Sequence, residues 1–408
     1  MVVSAAQAHP NALLRQARET HQLTQDEVAD ELCQLGAGGV TGNLVSKWER
    51  GICRPSPFHR RLLCQYFEAT PEELGFARQR PGVPTRGALP SSGMLDMAAT
   101  AAIAAGRKRA SAEARTLDEL DEDVERFAHE CLGVAHAELL PQVWDDWQEV
   151  EHRLDGRQSL KERARLTLLG GQLAYFLARL SFNMSDYTAA RRHAALAWKY
   201  AQDVEQPVLC ASVKTLQGTI AFYAGQHQRS LDYLQAAVQY DTSYTSARIA
   251  ANTARAYAAL GDRPHAEHAL AVMERQEVDL PIQPGDSPYT PAAAMSALAS
   301  TLARLGEGER AENYARQAVA LHDAPGQRFE DWGNAMLNLA SALVLRRQPE
   351  PEEAARLGLE VMMVPEGQRT ETVRRWAADV VRLLGLWRTA PAVQEFADEV
   401  REYRPAVP

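Results

Sequence analysis

The stretches LTQDEVADEL (residues 23–32) and VTGNLVSKWERG (residues 40–51) decide the fold of the first part of this 408-residue chain. In the first stretch, Glu27 follows Thr24 by three residues, which is the pattern of a capping box at the start of a helix. The apolar residues that follow recur at intervals of three and four, as they do on the buried face of a helix. The sequence therefore predicts a short helix over residues 25–35.

The second stretch predicts another helix, over residues 42–50. Thr41 can cap its start, and Gly51 favours its end. If Val45 and Trp48 face the core, four polar side chains of this helix face outward, and these are Asn43, Ser46, Lys47 and Arg50.

Helical patterns on either side of these two helices complete a small bundle. They cover residues 11–20 and 58–67, and a short fifth helical turn is predicted at residues 71–74. Five short helices within so few residues predict one compact domain, residues 1–76.

The run LTQDEVADEL…VTGNLVSKWERGICRPSP…LLCQYFEATPEELGF resembles the XRE (lambda-repressor-like) helix-turn-helix over most of residues 11–76. It is especially similar to the actinobacterial regulators that read LTQ…VSKWERG.RRPS and end in PEELGF. It departs from them by a longer turn at residues 36–39, and by Ile52-Cys53 where a second basic residue is common. The resemblance also implies an ion pair between Arg18 and Glu49 that links the first and third helices.

This resemblance implies binding to double-stranded DNA, with the 42–50 helix in the major groove and its outward side chains at the base edges. Asn43 can pair with adenine, whereas Lys47 and Arg50 can donate to guanine or to phosphates. Ordinary solvated charges remain the alternative for both basic residues. The predicted DNA-binding residues are Gln25, Thr41, Gly42, Asn43, Ser46, Lys47, Arg50 and Arg54.

Charge divides the chain into two parts. Residues 1–115 carry 14 Lys and Arg against 11 Asp and Glu, a net +3, while the remainder carries −12. A mildly basic first part beside an acidic body fits one DNA-facing domain and one that does not touch DNA, although so small a difference also fits surface variation. Between them, RQRPGVPTRGALPSSG (residues 78–93) cannot form a regular helix, so residues 77–115 are predicted to be a flexible linker.

A pattern of two amphipathic helices joined by a short polar turn recurs along residues 116–408. A small residue follows each turn, which lets the helices approach closely. These small residues are Ala190, Ser230, Ala266 and Ala311, with weaker continuations around Ala354 and Ala392. Strand patterns are nearly absent, so the whole chain is predicted to be all-α, with an α-solenoid after the N-terminal bundle.

The series resembles a degenerate tetratricopeptide repeat (TPR) over roughly residues 160–400, with residues 117–154 as an added helical pair or cap. The resemblance implies a right-handed superhelix with a concave groove for peptides or partner helices. Asn252 and Asn338 hold matching places in their repeats, and in peptide-sensing regulators that pair these two modules such Asn residues hold a peptide backbone. The predicted ligand-binding residues are Arg248, Asn252, Arg255, Asn334 and Asn338. Solvated helix-surface polar groups remain the alternative.

No sequence pattern of an enzyme is recognisable. There is no GxGxxG after a strand, no P-loop, no HExxH and no GxSxG. The pairs His129/His136 and His265/His268 lack a third ligand, so neither a metal nor a cofactor is predicted.

These features together predict a cytoplasmic transcription regulator. We expect a homodimer that binds double-stranded DNA through its first domain, senses a peptide or small-molecule effector through its TPR-like domain, and has no membrane partner, because the N-terminus lacks a long apolar segment. The alternative is a TPR interaction scaffold whose helix-turn-helix is vestigial or binds protein.

Overall fold

A computed structural model describes residues 11–21, 23–34, 40–51, 55, 57–67, 69, 73–76, 115–278, 280–322, 329–365 and 368–403. Helices account for 76% of these residues, and no strand occurs among them. The prediction of an all-α fold is therefore confirmed. The predicted linker over residues 77–115 lies almost wholly outside the described residues.

The described residues form 18 α-helices, which we number along the chain. They are α1 (Ala12–Thr20), α2 (Gln25–Gln34), α3 (Gly42–Glu49), α4 (Pro57–Tyr66), α5 (Leu117–Glu130), α6 (His136–Leu154), α7 (Leu160–Asn183), α8 (Tyr187–Val204), α9 (Pro207–Tyr223), α10 (His227–Val238), α11 (Ser243–Ala259), α12 (Arg263–Met273), α13 (Pro291–Arg304), α14 (Gly308–Ala320), α15 (Glu330–Leu345), α16 (Pro351–Met362), α17 (Glu371–Leu383) and α18 (Pro391–Glu402).

The helices fall into two compact units. One, which we call the N-terminal unit, comprises the described residues of Met1–Leu89 and Gly385–Glu402; the other, which we call the array, comprises those of Pro90–Leu384 together with Tyr403. Helix α18 thus groups with α1–α4. The sequence had predicted it as part of a single domain over residues 116–408. The repeat expected around Ala392 does not continue the array.

The N-terminal unit has the local structure that its sequence predicts. In the capping box before α2, the Thr24 backbone N–H donates to the Glu27 carboxylate at 2.7 Å, and the Glu27 N–H donates to the Thr24 hydroxyl at 3.2 Å. Val45 and Trp48 of α3 are buried, 1% and 2% exposed. The fifth helical turn expected at residues 71–74 lies partly outside the described residues, and Glu73 to Gly75 form a turn.

Helical hairpins build the array, and small residues lie where their helices cross. The five small residues that the sequence analysis singled out after the turns are at most 1% exposed, and these are Ala190, Ser230, Ala266, Ala311 and Ala354. Three of the turns use a left-handed glycine, at Gly225, Gly261 and Gly306. Because glycine has no Cβ, it adopts this conformation without strain and reverses the chain tightly.

Helix α17 brings the end of the array back to its beginning. The Glu371 side chain, 0% exposed, accepts hydrogen bonds from the Ser185 hydroxyl and, at 3.0 Å, from the Tyr187 hydroxyl. The Trp376 indole N–H donates to the Tyr223 hydroxyl at 3.0 Å. The inner helices α7, α9, α11, α13, α15 and α17 therefore contact one another in a closed ring.

A second buried carboxylate ties three inner helices together at the same closure. Glu330 at the start of α15 accepts from Asn183 of α7 and from Thr372 of α17, each at 2.7 Å. Neutral donors of this kind stabilise a buried carboxylate that would otherwise lose its hydration.

None of the described helices is both long and apolar enough to cross a membrane.

We expect the closure to contribute measurably to stability. Replacing Glu371 by Ala removes the acceptor of Ser185, Tyr187 and two arginines, Arg374 and Arg375. The free energy of unfolding should fall by about 2 kcal/mol, because four donors lose their common acceptor and the buried Glu371 side chain leaves a gap between the helices. Urea denaturation measures this, and Glu352→Gln at an exposed site of α16 is the control, with a change within about 0.5 kcal/mol. Equal effects of the two variants would show that the contacts of Glu371 do not stabilise the packing of α17 against α8.

A buried histidine predicts how the stability of the array depends on pH. His136 at the start of α6 is 2% exposed, and its Nε2–H donates to the Cys131 carbonyl oxygen at 3.3 Å. Burial, and then the charge of Arg179, lowers its pKa to about 3. Because this value lies below the ordinary 6.5, the folded state favours neutral histidine, so stability is complete above pH 6.5 and falls as the pH decreases toward 3.

We expect this histidine alone to lower the free energy of unfolding by about 2 kcal/mol between pH 7 and pH 5. His136→Gln keeps a donor toward Cys131 but does not titrate, so its stability should change less over this interval. Urea denaturation of both proteins at pH 7, 6 and 5 gives their free energies of unfolding. In the difference between the two proteins at each pH, the contribution of the carboxylates cancels because it is common to both. Parallel pH profiles would show that His136 is not held neutral.

Candidate functional site

The outward face of α3 is polar and basic. Asn43, Lys47 and Arg50 are exposed and Ser46 is half-buried, as the burial of Val45 and Trp48 requires. Within the described residues, no carboxylate lies within ion-pair distance of Lys47 or Arg50. The Nε–H of Arg50 donates only to the Ser46 carbonyl oxygen of its own helix, at 3.3 Å. The charges of both side chains are therefore available to a ligand outside the protein.

The start of α3 is held by its cap and by close packing. The Thr41 hydroxyl accepts from the Leu44 N–H at 3.4 Å. Gly42, by contrast, is buried, and a Cβ on it would lie 3.1 Å from the Asp26 backbone nitrogen and within the Asp26 carboxyl group. Gly42 therefore permits α2 and α3 to approach each other, and its place among the predicted DNA contacts is not supported by exposure.

A buried glutamate connects three helices of the N-terminal unit. Glu49 forms two hydrogen bonds with the Arg18 guanidinium, at 2.6 and 3.0 Å, which confirms the ion pair that the resemblance implies. The Gln25 amide donates to the same carboxylate at 2.7 Å. Gln25 is thus half-buried and engaged within the protein. Arg54 lies outside the described residues.

A cavity of about 180 Å³ lies inside the ring of the array. Nearly all of its lining residues belong to the first helix of successive hairpins, that is, to α7, α9, α11, α13, α15 and α17. All five predicted ligand-binding residues line it, and these are Arg248, Asn252, Arg255, Asn334 and Asn338. The structure therefore brings together residues from α11 and α15 that are up to 90 positions apart in sequence.

One of the five, Arg248, is engaged by a carboxylate of the protein. It donates to both oxygens of Asp286, at 2.7 and 2.8 Å, and to the Ser287 carbonyl oxygen. Asp286, 1% exposed, also accepts from the hydroxyls of Tyr175 and Ser212 at 2.7 and 2.8 Å. Arg248 thus fastens the segment before α13 to the cavity wall.

Two other arginines of the cavity have no carboxylate partner among the described residues. Arg255 donates to the Asn252 amide oxygen at 2.5 Å and lies over the Phe222 ring, 4.7 Å from its centroid. Arg179 of α7 has a buried Nε–H without a partner in the described part of the chain. Both side chains are half-buried, and each has N–H groups that can donate to an acceptor in the cavity.

Acceptor groups without a donor face the same cavity. Asn338 is 2% exposed, and its amide nitrogen donates to the Ser296 carbonyl oxygen at 3.2 Å. This contact fixes the orientation of the amide, so its oxygen points away from that carbonyl. The oxygen has no donor within the described structure, and the same holds for the amide oxygens of Asn334 and Asn183.

Two acidic residues at the start of α15 complete the polar lining. No lysine, arginine or histidine of the described residues lies within 4.0 Å of Glu330 or Asp331. Burial, and then the neighbouring Glu330, raises the pKa of Asp331. The N-terminus of α15 offsets part of this negative charge.

The sequence analysis did not identify the contribution of α7. Tyr175, Arg179 and Asn183 recur at intervals of four, which puts them on one face of the second half of α7, where most other residues are apolar. Polar residues at this spacing within an apolar helix are a signal that they face an internal cavity.

The described residues contain no group of three His, Cys, Asp or Glu side chains that could hold a metal ion. Neither the models of known protein families nor the curated proteins yield a match to this chain.

The two cavity arginines predict opposite consequences of substitution. Arg248→Met leaves the buried Asp286 carboxylate without its counter-charge, so the free energy of unfolding should fall by about 3–5 kcal/mol. Arg255→Met leaves no carboxylate without its counter-charge, so the free energy of unfolding should fall by about 1 kcal/mol or less. Urea denaturation of the two variants measures the difference, and a larger effect at Arg255 would contradict the assignment of Arg248 to a structural role.

Proposed function

We propose that this protein is a sequence-specific DNA-binding transcription regulator. In this proposal the N-terminal unit is an XRE-type helix-turn-helix in which α3 is the recognition helix. The observation that carries the proposal is the division of α3 into a buried apolar face and an exposed face with Asn43, Lys47 and Arg50. A helix exposed in this way can enter the major groove, where its polar side chains meet the base edges.

The firm attachment of α3 supports the same proposal. Glu49 connects α3 to Arg18 of α1 and to Gln25 of α2, and Gly42 holds α3 close to α2. Base readout requires that the recognition helix keep its orientation while its side chains adjust. In this proposal Gln25 acts by positioning Glu49, and a phosphate contact would require it to leave that carboxylate.

We propose further that the array is a degenerate TPR-like domain that dimerises and binds an effector in its cavity. A cytoplasmic homodimer would place two recognition helices on a two-fold operator, with half-sites about 34 Å or a multiple of it apart. An effector that binds one arrangement of the dimer more tightly than another would change operator affinity. The cavity with its unsatisfied polar groups is what supports an effector site.

Binding to DNA from upstream of the protein's own gene, over a series of salt concentrations, tests the proposal. The double variant Lys47→Ala/Arg50→Ala should bind specific DNA at least tenfold more weakly, and the slope of log K against log salt should decrease by about two, because two phosphate or base contacts are lost. The control is Lys161→Ala/Arg163→Ala, two exposed charges on α7, which should leave both quantities unchanged.

Equal affinity of the wild type and the Lys47/Arg50 variant for every DNA tested would refute α3 as the recognition helix. The interaction scaffold would then be the better explanation of the chain.

A further inference from the structure

The cavity in the array is lined by charged residues of both signs that form no ion pair among the described residues. Arg179 and Arg255 have no carboxylate within ion-pair distance among the described residues, and Glu330 and Asp331 have no cation. All four line one cavity. We infer that this cavity binds a small zwitterion, a free α-amino acid or a molecule of that size, whose carboxylate meets an arginine and whose ammonium meets the acidic residues. This inference rests on the proposed effector site and names its ligand class.

The size of the cavity favours a ligand of this class over a longer peptide. Its volume of about 180 Å³ is only slightly larger than the roughly 150 Å³ apolar cavity that holds benzene. It is smaller than the ~300–1,000 Å³ pockets of drug-sized ligands. A peptide of several residues would have to extend beyond the ring.

The basic side of the cavity suits a carboxylate. Arg255 lies between aromatic rings, 4.7 Å from the Phe222 centroid and 5.5 Å from the Tyr223 centroid, which holds its planar guanidinium in one orientation. The neighbouring Arg304 is already paired with Asp379 at 3.0 Å. Arg255 therefore keeps its charge and its free Nε–H for a ligand.

The acidic side suits an ammonium. Asp331, Asn334 and Asn338 follow one another along the inner face of α15, at intervals of three and four residues. They supply a carboxylate and two amide oxygens without donors, and an ammonium has three N–H groups and no acceptor. Asn338 is 2% exposed, so solvent does not satisfy it from outside the protein.

A simple anion fits less well, because it would add a negative charge beside Asp331 and beside Glu330, whose carboxylate has only the neutral donors of Asn183 and Thr372. A simple cation, in turn, would leave Arg179 and Arg255 without a carboxylate and would add a positive charge beside them. A ligand with both charges provides a partner on both sides of the cavity, whose Arg179, Arg255 and Asp331 are half-buried and therefore gain more from a charged partner than fully exposed side chains would.

Isothermal titration calorimetry and thermal shift measurements on the full-length, dialysed protein test the inference, with each of the twenty L-amino acids as probe. Amino-acid analysis of the supernatant after acid precipitation detects a ligand that co-purifies. For the amino acid that binds, the N-acetyl and carboxamide derivatives should bind at least tenfold more weakly, because each lacks one charge. Arg255→Gln and Asp331→Asn should each weaken binding of the amino acid at least tenfold. Asp203→Asn, at an exposed site of α8, should have no effect.

Three outcomes would overturn the inference. They are the absence of any bound or co-purified amino acid, tight binding of the N-acetyl derivative, and unchanged binding by Asp331→Asn in a protein whose thermal unfolding remains cooperative. The DNA-binding measurement is separate. If an amino acid binds but leaves operator affinity unchanged, the proposed sensing is refuted and the inferred ligand class is retained. Loss of DNA binding in the Lys47/Arg50 variant tests α3 alone and carries no information about the cavity.

Discussion

The closure of the array by two buried carboxylates is the constraint on which the cavity depends. Glu371 and Glu330 draw α17 and α15 against the first hairpin through donors on α7, α8 and α17. Without these contacts the inner helices would face an open groove filled with water. Arg179 and Asp331, which are half-buried in the closed array, would then be more fully hydrated, and their attraction for a ligand charge would be weaker in the higher dielectric constant. Closure therefore converts ordinary polar side chains into a strongly interacting interior.

The two units use charge in opposite ways. In the N-terminal unit one buried ion pair, Arg18 with Glu49, lies inside, and the charges of Lys47 and Arg50 face outward. In the array, unpaired charges face inward and the ion pairs of the hairpins lie mainly on the surface. The first arrangement suits a polyanion that stays outside the protein, because long-range attraction assists its approach. The second suits a molecule that loses its hydration when it enters.

Local sequence patterns predicted the helices and the faces of these helices. The capping box at Thr24 follows from the spacing of two residues, and the burial of Trp48 and of the small residues at the hairpin crossings follows from periodicity. Asn252 and Asn338, predicted to hold matching places in their repeats, both line the cavity. The pairing of distant side chains could not be predicted. Asp286, which engages Arg248, lies in an irregular segment, and Glu371 is 186 residues from Ser185. Periodicity within a helix carries no information about such partners, so the structural role of Arg248 and the burial of Gly42 became apparent only in the folded chain.

Closure also limits how this chain can evolve. In an open solenoid each repeat contacts only its neighbours, so duplication or loss of a repeat changes the length and leaves the remaining interfaces intact. Here α17 must reach α8 and α9, whose residues Tyr187 and Tyr223 hydrogen-bond to it. A duplicated hairpin would move α17 away from these partners, and a deleted one would make the ring too small. The number of hairpins is therefore constrained as a whole, and the turns on the outside of the ring are the places where added residues would leave the closure intact.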